Sequence, residues 1–154
     1  MPHMRKQIRD YVATGLAALP TTGGRVFVGR TRPLAAGHQP TLLIYTRSET
    51  SERAERGRPP VLERRCTLHL EARTSTADAP DDLLDKIAGE IEAGVAALID
   101  YQTATFFGGL VSNVQMTGTE IIAEAAESER VAGGVRVEYL VTYRTVEGAP
   151  NASA

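Results

Sequence analysis

The residues of this chain whose types could do chemistry are three histidines, one cysteine, a run of aspartates and three glycine pairs. His3, His38 and His69 stand far apart. None belongs to a His-x-x-x-His pair or adjoins a cysteine pair, the spacings that place two ligands on one side of a zinc ion. Cys66 lies three residues from His69, close enough in sequence to suggest a thiolate–imidazole dyad. On a strand, residues three apart point to opposite faces, so the two do not meet. Cys66 then reads as a small buried hydrophobe, and His69 as a solvated or interface side chain on the polar face. Gly23-Gly24, Gly108-Gly109 and Gly133-Gly134 each stand before a β-rich run. None leads into the Lys-Ser/Thr and helix of a phosphate loop, and turn geometry accounts for all three. Asp81, Asp82 and Asp85 imitate an acidic metal site, but they sit where a helix begins, and carboxylates favour that positive end. No Gly-x-Ser-x-Gly elbow is present. We therefore assign no catalytic residue, no cofactor and no metal, and expect a protein that is not an enzyme.

The arginines are the next candidates. Arg47, Arg53, Arg56, Arg58, Arg64 and Arg65 cluster in one stretch, interleaved with Glu49, Glu52, Glu55 and Glu63. Mixed signs argue against a stripe that tracks a phosphate backbone, and no aromatic residue is interleaved for base stacking. The pattern suits a solvated loop or a partner surface held by charge complementarity. Phe106, Phe107 and Leu110 form a second candidate surface. Two adjacent aromatics beside two glycines either anchor an interface or fold back over a helix end.

The elements that must position these residues follow from periodicity. At 154 residues the chain has the size of one domain, with 42% apolar and 23% charged residues and a formal net charge of −2. That charge gives no sign of a nucleic-acid binder driven by bulk electrostatics. One cysteine excludes an internal disulfide framework and fits a reducing compartment. No apolar run approaches the ~20 residues that span a bilayer.

The spacing of Ile8, Tyr11, Val12, Leu16 and Leu19 predicts a helix over Arg5 to Leu19, stopped by Pro20 and Gly23-Gly24. Arg25 to Val28 and Thr41 to Thr46 read as strands, the second buried on both faces. Gly29 to Pro40 reads as irregular. Arg47 to Pro60, "RSETSERAERGRPP", has no apolar face and reads as an exposed loop or flexible hairpin tip. Val61 to Thr74 alternates, with Leu62, Cys66, Leu68, Leu70 and Ala72 on one side and Glu63, Arg65, Thr67, His69, Glu71 and Arg73 on the other. Asp78 or a neighbour caps a second helix that runs to about Asp100, with Leu84, Ile87, Ile91 and Val95 on its buried stripe. Tyr101 to Gly109 is a connector. Val111 to Ile122 and Val135 to Thr145 are the last strands, joined by a hairpin loop, and Val146 to Ala154 reads as a flexible tail. In the closing strand, "VRVEYLVTYRT", Val135, Val137, Tyr139, Val141 and Tyr143 share the face toward the helices. Leu140 stands among charges on the other face, either buried between subunits or tolerated on a wet sheet. The fold class expected is α+β: one domain over residues 1–145, with two helices on one face of a mostly antiparallel sheet of about five strands.

Several stretches in order carry a family resemblance. They are the opening helix "MRKQIRDYVATGLAAL" followed by "RVFVGRTRPL", then "QPTLLIYTRSETSE", then "LERRCTLHLEARTS" running into "DDLLDKIAGEIEAGV", and finally "GVRVEYLVTYRT". Over Met4 to Thr145 the series resembles the tail terminator proteins of long-tailed, lambda-like bacteriophages. The connector "YQTATFFGG" is where the chain departs from that pattern. The resemblance implies a structural virion protein at the head-proximal end of the tail, assembled in the host bacterial cytoplasm. It implies a homohexameric ring that caps the completed tail tube and stops its polymerisation. The partners implied are the tail tube protein and a head-completion or connector protein, with DNA passing through the ring without sequence-specific binding and no membrane involved. Arg47, Arg53, Arg56, Arg58, Phe106, Phe107, Leu110 and Leu140 are the interface candidates. Two other readings stay open: a head-completion or other minor tail protein, and a small α+β ligand-binding domain or enzyme with an unrecognised site.

Overall fold

The structure is a computed structural model that describes residues 1–29, 40–76, 80–124 and 131–154. The chain runs α1 (Met4–Gly15), β1 (Val26–Val28), β2 (Thr41–Glu55), β3 (Val61–Thr76) and α2 (Pro80–Ala96). It continues through β4 (Ile99–Asp100), β5 (Thr105–Phe106), a 3-10 turn (Phe107–Gly109), β6 (Asn113–Glu124) and β7 (Val131–Val146). Five strands form one sheet in the order β1-β2-β3-β7-β6, antiparallel throughout except for β1 against β2. Both helices cover one face, as expected for the α+β class. Met4, Ile8, Val12 and Leu16 from α1 and Leu84, Ile87, Ile91 and Val95 from α2 join one core with Leu42, Ile44, Leu68, Leu70, Val137 and Val141 from the sheet. Burying each such side chain stabilises the fold by about 1.5–3 kcal/mol.

Alternation decides which side of each strand enters that core. In β7, Val135, Val137, Tyr139, Val141 and Tyr143 are all buried, while Arg136, Glu138, Leu140, Thr142 and Arg144 are half-exposed on the opposite face. In β2, Leu42, Leu43, Ile44 and Tyr45 are buried in succession, so this strand is covered on both sides. Cys66 is buried on the helix face, and burial, then the nearby Glu49, pushes its thiol up to about 11.

Four sequence expectations are corrected. First, Arg47 to Glu55 is strand, not loop. Thr50, Ser51, Glu52 and Arg53 pair with Arg65, Arg64, Glu63 and Leu62, and cross-strand ion pairs replace the missing apolar face. Second, the helices are shorter. The main-chain N–H of Leu16 already closes α1 onto Val12 O at 2.9 Å, and α2 ends at Ala96, after which Ile99 and Asp100 pair with Phe106 and Thr105. Third, Gly133-Gly134 lies within β7, paired with Thr74 and Arg73 of β3, and a Cβ at Gly134 would stand 3.0 Å from the carbonyl oxygen of Ala72. Fourth, the tail is tied down. Pro150 O accepts from Met4 N at 2.8 Å, Asn151 O accepts from Gln7 Nε2 at 2.9 Å, and Ala154 N donates to Arg144 O at 2.9 Å. The readings made for Gly29 to Pro40, for His38, for the Asp78 cap and for residues 125–130 of the last hairpin lie partly or wholly outside the described residues.

The N-terminus of α1 has a cap that its sequence did not announce. His3 Nδ1 accepts a hydrogen bond from Arg5 N at 3.1 Å, satisfying one of the donors left over at the helix start. Burial and the Arg5 charge lower the pKa of His3, which keeps the ring neutral and able to accept.

Candidate functional site

The β2–β3 hairpin places the arginine candidates. Residues 51–59 are all exposed. Each glutamate of β2 is held by an arginine of β3 or, for Glu55, of β7 one strand further on. Arg64 reaches Glu49 at 3.2 Å, Arg65 reaches Glu52 at 3.6 Å, and Arg144 of β7 reaches Glu55 at 3.2 Å. Arg53, Arg56 and Arg58 have no ion-pair partner among the described residues. Arg47 lies over the Tyr45 ring at 5.4 Å, a cation–π contact. The arm therefore carries uncompensated positive charge on an ordered hairpin. Under it, Glu49 also accepts from the Tyr143 hydroxyl, and Arg64 Nε donates to Thr145 Oγ1 at 2.8 Å. Burial, then the bond to Glu49, raises the pKa of Tyr143, so the phenol stays a donor.

A second cluster, missed in the sequence, occupies the sheet face away from the helices. Glu71 is only 1% exposed. Its oxygens accept from the Tyr45 hydroxyl at 3.1 Å, from Arg136 at 3.0 and 3.1 Å, and from Arg73 at 2.9 Å. Arg136 also reaches Glu120 at 3.2 Å. A buried carboxylate held by two guanidiniums and a phenol has its acceptor sites filled. This is a tie across β2, β3, β7 and β6. Beside it His69 stacks on Tyr45, with ring centroids 4.9 Å apart. His69 is 8% exposed, so the expectation of a solvated side chain is overturned. Its Nδ1 stands 3.3 Å from Glu138 Oε1 but lacks hydrogen-bond alignment. Burial lowers its pKa, against the pull of Glu138 and with the help of Arg136 and Arg47. Cys66 and His69 sit on opposite faces, as their spacing requires.

The connector separates the two phenylalanines. Phe107 is fully buried, with its ring 5.9 Å from Tyr11, so it is not an exposed interface anchor but folds back over the helix ends. Its N–H donates to Leu98 O at 3.1 Å. Its φ of +49° is strained for a residue with a side chain, and burial of the ring offsets that cost. Gly108 and Gly109, with φ of +63° and +88°, complete the reversal. Phe106 and Leu110 are half-buried. Leu110 joins Gln7, Asp10, Tyr11, Thr14, Gly15 and Leu98 around a shallow open groove between the helix ends. Leu140 is half-buried on the outer face, between Thr67 of β3 and Gln115 of β6. The structure thus groups the four arginines on one arm and Phe106, Phe107 and Leu110 at the helix ends, with Leu140 apart from both.

Among the described residues no three His, Cys, Asp or Glu side chains come together as a metal site, and no helix is long and apolar enough to cross a membrane. No protein-family model matches the chain, and no curated protein matches its sequence.

Proposed function

We propose that this protein is a structural virion subunit, a tail terminator. Six copies form a ring on the completed phage tail tube, stop further polymerisation and offer a surface for head joining. The observation that carries this reading is the β2–β3 arm. Its outer half is ordered strand, yet residues 51–59 bury nothing in the core, and Arg53, Arg56 and Arg58 have no ion-pair partner among the described residues. A hairpin that adds little to its own domain fits a role in contacting another one. Two helices on one sheet face, with a charged face opposite, also suit a subunit that meets neighbours through two different surfaces. The resemblance over Met4 to Thr145 adds the specific assembly.

The test is to add the purified protein to polymerising tail tubes and image the products. Rings with a central hole at tube ends, and tubes of bounded length, are the expected result. Binding to capsid portals with no effect on tubes would instead favour a head-completion role. A monomer at every concentration that ignores both structures would sink the terminator reading.

A further inference from the structure

The sheet has two open edges, and they differ. β1 covers β2 only at Leu42, Leu43 and Ile44. From Thr46 to Glu55 no described backbone group bonds the outer edge of β2. β6 ends the sheet on the other side, and its outer edge from Asn113 to Glu124 is equally unpaired among the described residues. Long unpaired edges are templates for another strand, and soluble proteins usually shorten or cover them.

The two edges complement each other. The glutamates of β2 are held by Arg64, Arg65 and Arg144, which leaves Arg47 and Arg53 without an ion pair among the described residues. The charged residue of β6 whose side chain is described, Glu120, is acidic; it reaches Arg136 at 3.2 Å but keeps 65% of its side chain exposed, on the sheet face away from the helices. β6 also exposes Met116 at 40% and Ile121 at 46%, on the face where their partners Tyr139 and Val135 lie under the helices. The helix layer stops short of this strand. On the β2 side α1 crosses the sheet, with Arg9 donating to Thr46 Oγ1 at 2.7 Å.

We infer that the β6 edge of one copy pairs with the outer edge of β2 in a second copy, joining subunits through a continuous sheet. The neighbour's α1 then lies beside Met116 and Ile121, and Arg47, which lies over Tyr45, shares the face away from the helices with the exposed Glu120. The contact is head-to-tail, so every subunit uses both edges and the assembly closes into a ring or grows as a filament. This inference rests on the terminator reading for closure into a ring, and it names the surfaces that make the ring.

Cysteine cross-linking of the full chain tests it. Ser51 and Thr119 are exposed, and their partners Arg64 and Val137 place both on the helix side of the sheet. The native Cys66 is buried and does not compete. Ser51→Cys and Thr119→Cys proteins are mixed, treated with a short bismaleimide and run on a denaturing gel. The mixture should give a cross-linked dimer that neither variant gives alone, and Ser51→Cys/Thr119→Cys on one chain should give a ladder. Equal cross-linking by either single variant alone would mean like edges pair, and would overturn the inference. So would a mixture that yields no cross-link at any concentration. Hexamers without cross-links would remove the edge pairing and leave the ring. A ladder from a protein that caps no tubes would keep the edge pairing and remove the terminator reading.

Discussion

At the scale of single residues, His69 and His3 are both groups whose protonation the fold resists, and His69 is the more buried. It stacks on Tyr45 and faces Glu138, Arg136, Arg47 and Glu71, and burial sets the direction of its shift downward. A histidine whose folded pKa lies below its unfolded value of 6.5 is neutral in both states at higher pH and contributes no slope there. As pH falls through 6.5, the unfolded chain takes up a proton that the folded chain refuses. Stability then declines until the folded pKa is passed, and levels off below it. Urea midpoints between pH 7.5 and 5 should therefore fall, and His69→Gln should reduce the fall that begins near 6.5, leaving the share carried by His3. An unchanged slope in the variant would show that other groups carry it.

At the scale of elements, the helices meet through glycine. A Cβ on Gly94 would come within 2.5 Å of Leu16 Cδ2, and one on Gly15 within 2.5 Å of Leu98 Cδ2. Gly94 thus lets α2 approach the end of α1 at Leu16, and Gly15 makes room on α1 for Leu98, two residues past α2. Gly94→Val should force the helices apart and cost about 1–3 kcal/mol by overpacking, read as a lower denaturant midpoint. Gly89, which has open space around it, serves as the control; Gly89→Ala should raise helix propensity and stabilise slightly. Elements with a period were legible in the sequence. β7 showed its two faces because every second residue is apolar, and the helices showed theirs at three and four. The outer half of β2 was not legible, since its faces are both polar and its strand character comes from register with β3. Nor was the tail, which is held by main-chain bonds to Met4 and Arg144 that leave no mark on residue type. Phe107 reads equally as an anchor or as folded back over a helix end, because adjacent aromatics in a loop give no clue to which one Tyr11 will cover. The Glu71 cluster was hidden for a related reason: it draws one residue or more from four strands, and no short motif records that. The arginines of the arm were legible as exposed charge, because nothing apolar accompanies them.

At the scale of the whole molecule, charge is distributed so that the arm differs in sign from the rest. The chain carries a formal net charge of −2, yet the hairpin holds three arginines with no acidic partner among the described residues. Replacing Arg53, Arg56 and Arg58 together by serine removes three positive charges and takes the net charge to −5. The exposed positions touch nothing in the core, so the folding free energy should change by no more than about 0.5 kcal/mol for each substitution. If the arm docks on a partner surface of opposite sign, association should slow, and its dependence on salt should weaken with it. Co-sedimentation with tail tubes at low salt and near 0.5 M salt separates the two contributions. The native protein should bind at low salt and lose much of that binding at high salt, whereas the variant should bind weakly at both. A variant with native stability and native capping would show that the arm is a bystander. Assembly would then depend on the β6 edge and the apolar residues beside it.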